Sequence, residues 1–213
     1  NEGHSWKKIS PDLTRSDDGK LGLSGGITID SSGAEHYGSI STFVESPHKP
    51  GTFWTGSDDG VVFTSKDRGK EWINITPKNL PEWSYIYCID VSVHHHDTIF
   101  LSATRYKLND YRPFIYKSEN GGKSWKNINN DYPENEISRV IREDPKCPGL
   151  LFVGSETGIY MSINDGNNWQ KLQGNFPVVP VYDMKIKDDE IVVGTHGRSF
   201  WILDDLTPLR QLA

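Results

Sequence analysis

Nearly the same octad is spelled out four times in 213 residues. SKDRGKEW occupies 65–72, SENGGKSW 118–125 and SINDGNNW 162–169, while NEGHSW at 1–6 is the same unit without its first two residues. Aligned, Ser65, Ser118 and Ser162 stand seven places before a tryptophan, Asn1, Asp67, Asn120 and Asn164 five before, and Gly3, Gly69, Gly122 and Gly166 three before. The tryptophans are Trp6, Trp72, Trp125 and Trp169. An Asp or Asn side chain bonds amides a short way along the chain, and Gly supplies the positive φ of a tight turn. The octad therefore predicts a hairpin corner: Ser ends one strand and Trp opens the next, as WKKI, WINI, WKNI and WQKL.

Each complete octad follows two further strand-like runs joined by a short loop, such as FWTGSDDGVVFTS and LFVGSETGIYMS, and before these a third, such as YIYCIDVSVH or ISRVIRED. The unit is four antiparallel strands, and tryptophan-to-tryptophan spacings of 66, 53 and 44 residues suit the blades of a β-propeller. An ordinary β-sandwich is the alternative, but it does not require one corner to recur. No stretch keeps apolar residues at helical period for three turns. The expected fold is all-β: a single propeller domain over 1–213, with four-stranded antiparallel blades near 21–76, 83–129, 136–173 and 178–203. The chain opens inside an octad, and its final run, IVVGTHGRSFWILDD, has none after it. Either the strand within 1–10 completes the last blade and closes a four-blade ring, or the chain is part of a larger propeller. The second reading is preferred, with Thr207–Arg210 as an exit linker.

A net charge of -6 offers no basic field for a phosphate backbone, so nucleic acid is not an expected partner. No apolar run approaches the roughly 20 residues of a membrane helix, so no membrane span is expected. Cys88 and Cys147 are too few for a disulfide scaffold and read as packed thiols, with one bridge left open. His94, His95 and His96 alternate faces if extended and read as a polar turn, the alternative being a weak surface metal site with Asp97. No resident metal and no cofactor are expected.

The S-x-D-x-G-x-x-W octad resembles the Asp-box, or bacterial neuraminidase repeat, of sialidases, xyloglucanase-type glycosidases and sortilin-type receptors. WKKISPDLTR, SPHKPGTFWTGSDDGVVFTSKDRGKEW, REDPKCPGLLFVGSETGIYMS and VGTHGRSFWILDDLTPLRQL resemble the C-terminal half of the propeller in large bacterial sortilin-like or glycosyl-hydrolase-like proteins. That resemblance implies a propeller, a secreted or periplasmic setting, and remaining blades or another chain as partner. It fits sialidases poorly, since no Arg-Ile-Pro segment precedes the octads and Arg105, Arg112, Arg139 and Arg198 fall at unmatched positions.

In such a blade, the lead-in to the first strand and the second-to-third connection share one rim, and the octads occupy the opposite one. The octad residues are thus scaffold. Ligand candidates on the free rim are His36, Tyr37, Trp83, Tyr85, Arg105, Arg112, His196 and Arg198, a mixture of rings and charges suited to sugars. Glycoside hydrolysis needs two carboxylates about 5 to 9.5 Å apart, for which Asp58, Asp59, Glu156 and Glu35 are weak candidates. DDG and ETG are equally ordinary turn spellings whose acids bond the backbone. The leading expectation is a module that binds a protein, peptide or glycan through this rim. The alternatives are part of a secreted glycoside hydrolase acting on polysaccharide, and a structural component of an extracellular assembly.

Overall fold

The computed structural model describes residues 3–26 and 37–213, and these hold four antiparallel sheets whose strands follow chain order. The first contains β1 (Ile40–Glu45), β2 (Phe53–Ser57), β3 (Val62–Ser65) and β4 (Ile73–Asn74). The second contains β5 (Tyr85–Val91), β6 (Ile99–Arg105), β7 (Asp110–Ser118) and β8 (Lys126–Asn127). The third contains β9 (Ser138–Glu143), β10 (Leu151–Ser155), β11 (Ile159–Ser162) and β12 (Gln170–Lys171). The last has three strands, β13 (Val181–Lys187), β14 (Glu190–Thr195) and β15 (Phe200–Leu203), followed by a short helix α1 (Thr207–Leu212). The architecture is that of β-propeller blades. β1, β5, β9 and β13 adjoin in succession and line an open cavity of about 430 Å³, the channel between the first strands. Second strands such as LFVGS of β10 are apolar on both faces because sheets cover both sides, whereas β4 and β12 are exposed.

The octads make the same corner three times. Ser65, Ser118 and Ser162 end their strands, and each hydroxyl accepts from the octad glycine's N–H (2.9, 2.8 and 2.9 Å). The same hydroxyls donate to Asp67, Asn120 and Asn164 (2.9, 3.0 and 3.0 Å). Those side chains in turn accept from Glu71, Ser124 and Asn168 amides. The glycines have φ of +83, +93 and +79°. Space also demands them: a Cβ on Gly122 would lie 2.3 Å from Ile75 Cδ1, and one on Gly166 2.7 Å from Ile128 Cδ1.

Those isoleucines belong to the preceding sheet, so the corner is also a joint. Trp125 Nε1 donates to Ile75 O (2.6 Å) and Trp169 Nε1 to Ile128 O (2.7 Å). Trp72 Nε1 does the same to Ile9 O (3.0 Å), three residues beyond Trp6 as Ile75 and Ile128 are beyond their tryptophans. Residues 6–9 thus form no strand and sit at the first sheet's octad, while β15 has no fourth strand beside it among the described residues. Trp6, the tryptophan of the truncated octad, differs from the other three. Trp6 is 93% exposed, whereas Trp169 is buried against Ile128 of the unit before it. Gly3 keeps a φ of +83°, and Asn1 lies outside the described residues.

The histidine turn supplies a second staple. His48 Nε2 lies 3.0 Å from Ser92 O and His94 Nε2 lies 2.8 Å from Asp144 O, each reaching from one sheet's first turn to the next. The last sheet has no octad and is held differently. Arg210 of α1 donates to the wholly buried Asp144 carboxylate (Nε–Oδ2 3.0 Å, Nη2–Oδ2 2.9 Å) and to Asp189, and Leu206 is fully buried. Thr207–Arg210, expected as an exit linker, lies in this helix. Cys88 and Cys147 are both free thiols.

Candidate functional site at the channel mouth

Pairing between first and second strands slips by one residue in every sheet. The slip leaves Ser41, Tyr87 and Tyr182 unpaired, and in the third sheet sets Arg139 and Val140 against Gly154. A bulge of this kind re-aims a side chain. Three of these residues meet at the channel mouth. The Arg139 guanidinium, in a residue only 4% exposed, lies 4.5 Å from the Tyr182 ring centroid, 5.2 Å from Tyr106 and 5.5 Å from Tyr87. Its Nε and Nη2 donate to Glu156 Oε2 at 3.1 and 2.8 Å, and that glutamate side chain is 46% exposed.

The rings form a belt. Tyr85 packs on Tyr87 (5.6 Å), Tyr87 meets Tyr182 edge-on (6.2 Å), and Tyr182 stacks on His196 (5.0 Å). Burial pushes the Tyr87 phenol up to about 12, so it is neutral and a hydrogen-bond donor at ordinary pH. Below the belt the channel turns ionic. Arg142 Nη2 donates to Asp183 Oδ1 (2.8 Å), Nη1 lies 3.6 Å from Asp90 Oδ1 and against the Cys88 sulfur, and Nε donates to Met184 O (2.8 Å). Burial pushes Asp90 up to about 6, opposed by Arg142 and by the Glu143 N–H on Oδ2 (2.9 Å).

The sequence candidates divide. Tyr85, His196 and Glu156 join the belt. Asp58 and Asp59 do not; both are buried in loop bonding. Asp58 Oδ1 accepts from Gly38 N (3.0 Å) and Ser39 N (2.9 Å), and burial still raises its carboxyl. Asp59 accepts from Ser57 Oγ and from Arg15 N (2.9 Å). Tyr37 and Trp83 pack edge to face at 5.5 Å, with the Arg15 guanidinium 5.2 Å above the Trp83 ring. Arg105 and Arg112 share Asp110 (2.8 and 2.7 Å), which they hold down at about 2, the Arg112 hydrogen bond contributing most. Arg198 is an exposed turn residue whose N–H donates to Thr195 Oγ1 (3.2 Å). Glu35 and His36 lie outside the described residues. Sequence reasoning missed Tyr87, Tyr106 and Tyr182 and gave Arg139 no role. One signal was available: Tyr85 and Tyr87, two apart in a strand, share a face.

No protein-family model matches the chain. The oligoxyloglucan-reducing end-specific xyloglucanase of Emericella nidulans is 22% identical over 111 residues, covering 51% of this chain and 14% of that protein. Among solved structures, the GH74 xyloglucanase from Xanthomonas campestris superposes with a TM-score of 0.61 at 13% identity, over 88% of this chain and 31% of that one. YCF48 from Cyanidioschyzon merolae gives 0.58 at 16% identity, over 76% and 52%. YCF48 bound to a peptide gives 0.55 at 16%, over 72% and 47%. At these identities the likeness is one of fold, and the chain spans about a third of that xyloglucanase structure. No helix among the described residues is long and apolar enough to cross a membrane.

Proposed function

We infer that this chain is a binding module of a secreted or periplasmic Asp-box propeller, and that an oligosaccharide rests on its tyrosine belt. The carrying observation is Arg139 held within 5.5 Å of the Tyr87, Tyr106 and Tyr182 rings at the mouth of the channel. Ring faces take the apolar C–H faces of a sugar, while the Arg139–Glu156 pair and the phenols supply directional bonds to hydroxyls. Binding is favoured over cleavage because the rim carboxylates are committed: Asp58 and Asp59 to loop bonding, Glu156 to Arg139. The likeness to xyloglucanases supports a plant-type β-glucan as first ligand to try.

A glycan array probed with the intact chain, followed by calorimetry on the best oligosaccharide, tests this. Tyr182→Ala and His196→Ala should each weaken binding about five- to tenfold, the loss of one ring contact. Absence of glycan binding, or equal affinity in both variants, would sink the reading; a peptide competing at the same rings would replace the sugar with a peptide. A cleaving role has one observation behind it: Asp90, up to about 6, and Asp183 face the channel on either side of Arg142. That reading predicts reducing-end release from xyloglucan, lost in Asp90→Asn.

A further inference from the structure

On the octad rim, a cavity of about 210 Å³ opens where the first sheet meets the second. Two polar groups in its wall are left unpaired by the fold: Thr52 Oγ1 and Trp54 Nε1 are buried with no hydrogen-bond partner among the described residues. Trp54 is only 1% exposed. Each such group costs about 1–3 kcal/mol if nothing satisfies it, so its presence asks for a reason.

Packing is not that reason. Trp54 pairs with Val44 and Thr64, and the same place in the second and third sheets is held by Phe100 and Phe152. Phenylalanine fills the position; the indole adds a donor. Around it the wall carries more donors, Lys49, Lys66 and His96, against a single carboxylate, Asp97, which has His96 Nδ1 on its Oδ2 at 3.1 Å. Lys66 reaches across the joint, its Nζ 3.2 Å from where a Cβ on Gly121 would lie. The next joint is neutralised, since Lys117 there is bound by both Glu119 and Asp165. Neither Lys49 nor Lys66 has such an ion pair among the described residues.

Residues carrying an unpaired indole N–H, an unpaired hydroxyl and two ammonium groups line one small space, a set that suits a compact ligand that only accepts. We propose that this joint is an oxyanion site for a sulfate or phosphate group, free or esterified to a sugar. It is separate from the channel mouth and independent of what binds there.

Sodium sulfate and sodium phosphate are titrated into the ¹⁵N-labelled chain at constant ionic strength set with chloride, because exposed lysines respond to salt alone. The Trp54 indole cross-peak should shift saturably while the exposed Trp6 peak does not. Lys66→Gln and Trp54→Phe should each weaken sulfate binding by calorimetry about tenfold, the worth of one charge-assisted bond. Trp54→Phe keeps the side chain that the neighbouring sheets use, so its fold is checked by an unchanged amide spectrum away from the joint. Glucose 6-sulfate and glucose 6-phosphate binding tighter than the free ions identifies an ester as the ligand; equal affinity identifies the free ion. A Trp54 shift that grows linearly with salt, or unchanged affinity in both variants, overturns the proposal.

Discussion

The octad corners and the channel mouth occupy equivalent places in every sheet, yet one repeats its chemistry and the other does not. Ser65, Ser118 and Ser162 make the same bonds, and Trp72, Trp125 and Trp169 each clamp a carbonyl of the preceding unit. At the bulge of the first strands the corresponding residues are Ser41, Tyr87, Arg139 and Tyr182. A corner is over-determined by its own turn, its glycine and its neighbour, so one solution recurs. The bulged residue faces a channel and answers to no ladder bond, which frees it for recognition.

That contrast can be broken most severely at a clamp. Trp169→Ala removes a buried indole and its bond to Ile128 O, and should lower stability by about 3–5 kcal/mol in urea unfolding, whereas Trp6→Ala should change nothing measurable. The last sheet, which lacks a clamp, depends on α1. Arg210→Ala leaves the buried Asp144 without its cation and should lose about 3 kcal/mol, with hydrogen exchange accelerating in β13–β15 before β5–β8. The smallest effect belongs to the channel. Asp90 titrates at about 6 in the fold against 3.8 as a free side chain, so the native state holds the extra proton between those values. Stability should therefore fall by about 2 kcal/mol as pH rises through that window, and Asp90→Asn should flatten the slope. A slope unchanged in Asp90→Asn would assign the titration to another group.

The corners were legible because their information is local. Serine, an amide or acid, glycine and tryptophan at fixed offsets name a turn by hydrogen-bonding reach and allowed φ, and the four units follow from its recurrence. The rim was legible only as a rim. The string SDDG left Asp58 and Asp59 open as rim acids or as turn residues bonding the backbone, and the N–H groups that take up their oxygens belong to Gly38, Ser39 and Arg15, distant in sequence. Arg139 offered no local cue, since the three rings around it come from β5, the β6–β7 connection and β13.

Sequence alone determined the all-β repeat, the corner geometry and which face of each unit is scaffold, because turn chemistry and strand period act over eight residues or fewer. Only the tertiary structure decided where the bulges fall, which residues they bring together and that Arg210 substitutes for a missing clamp. Those outcomes depend on how neighbouring sheets meet in space, a relation that spacing along the chain does not encode.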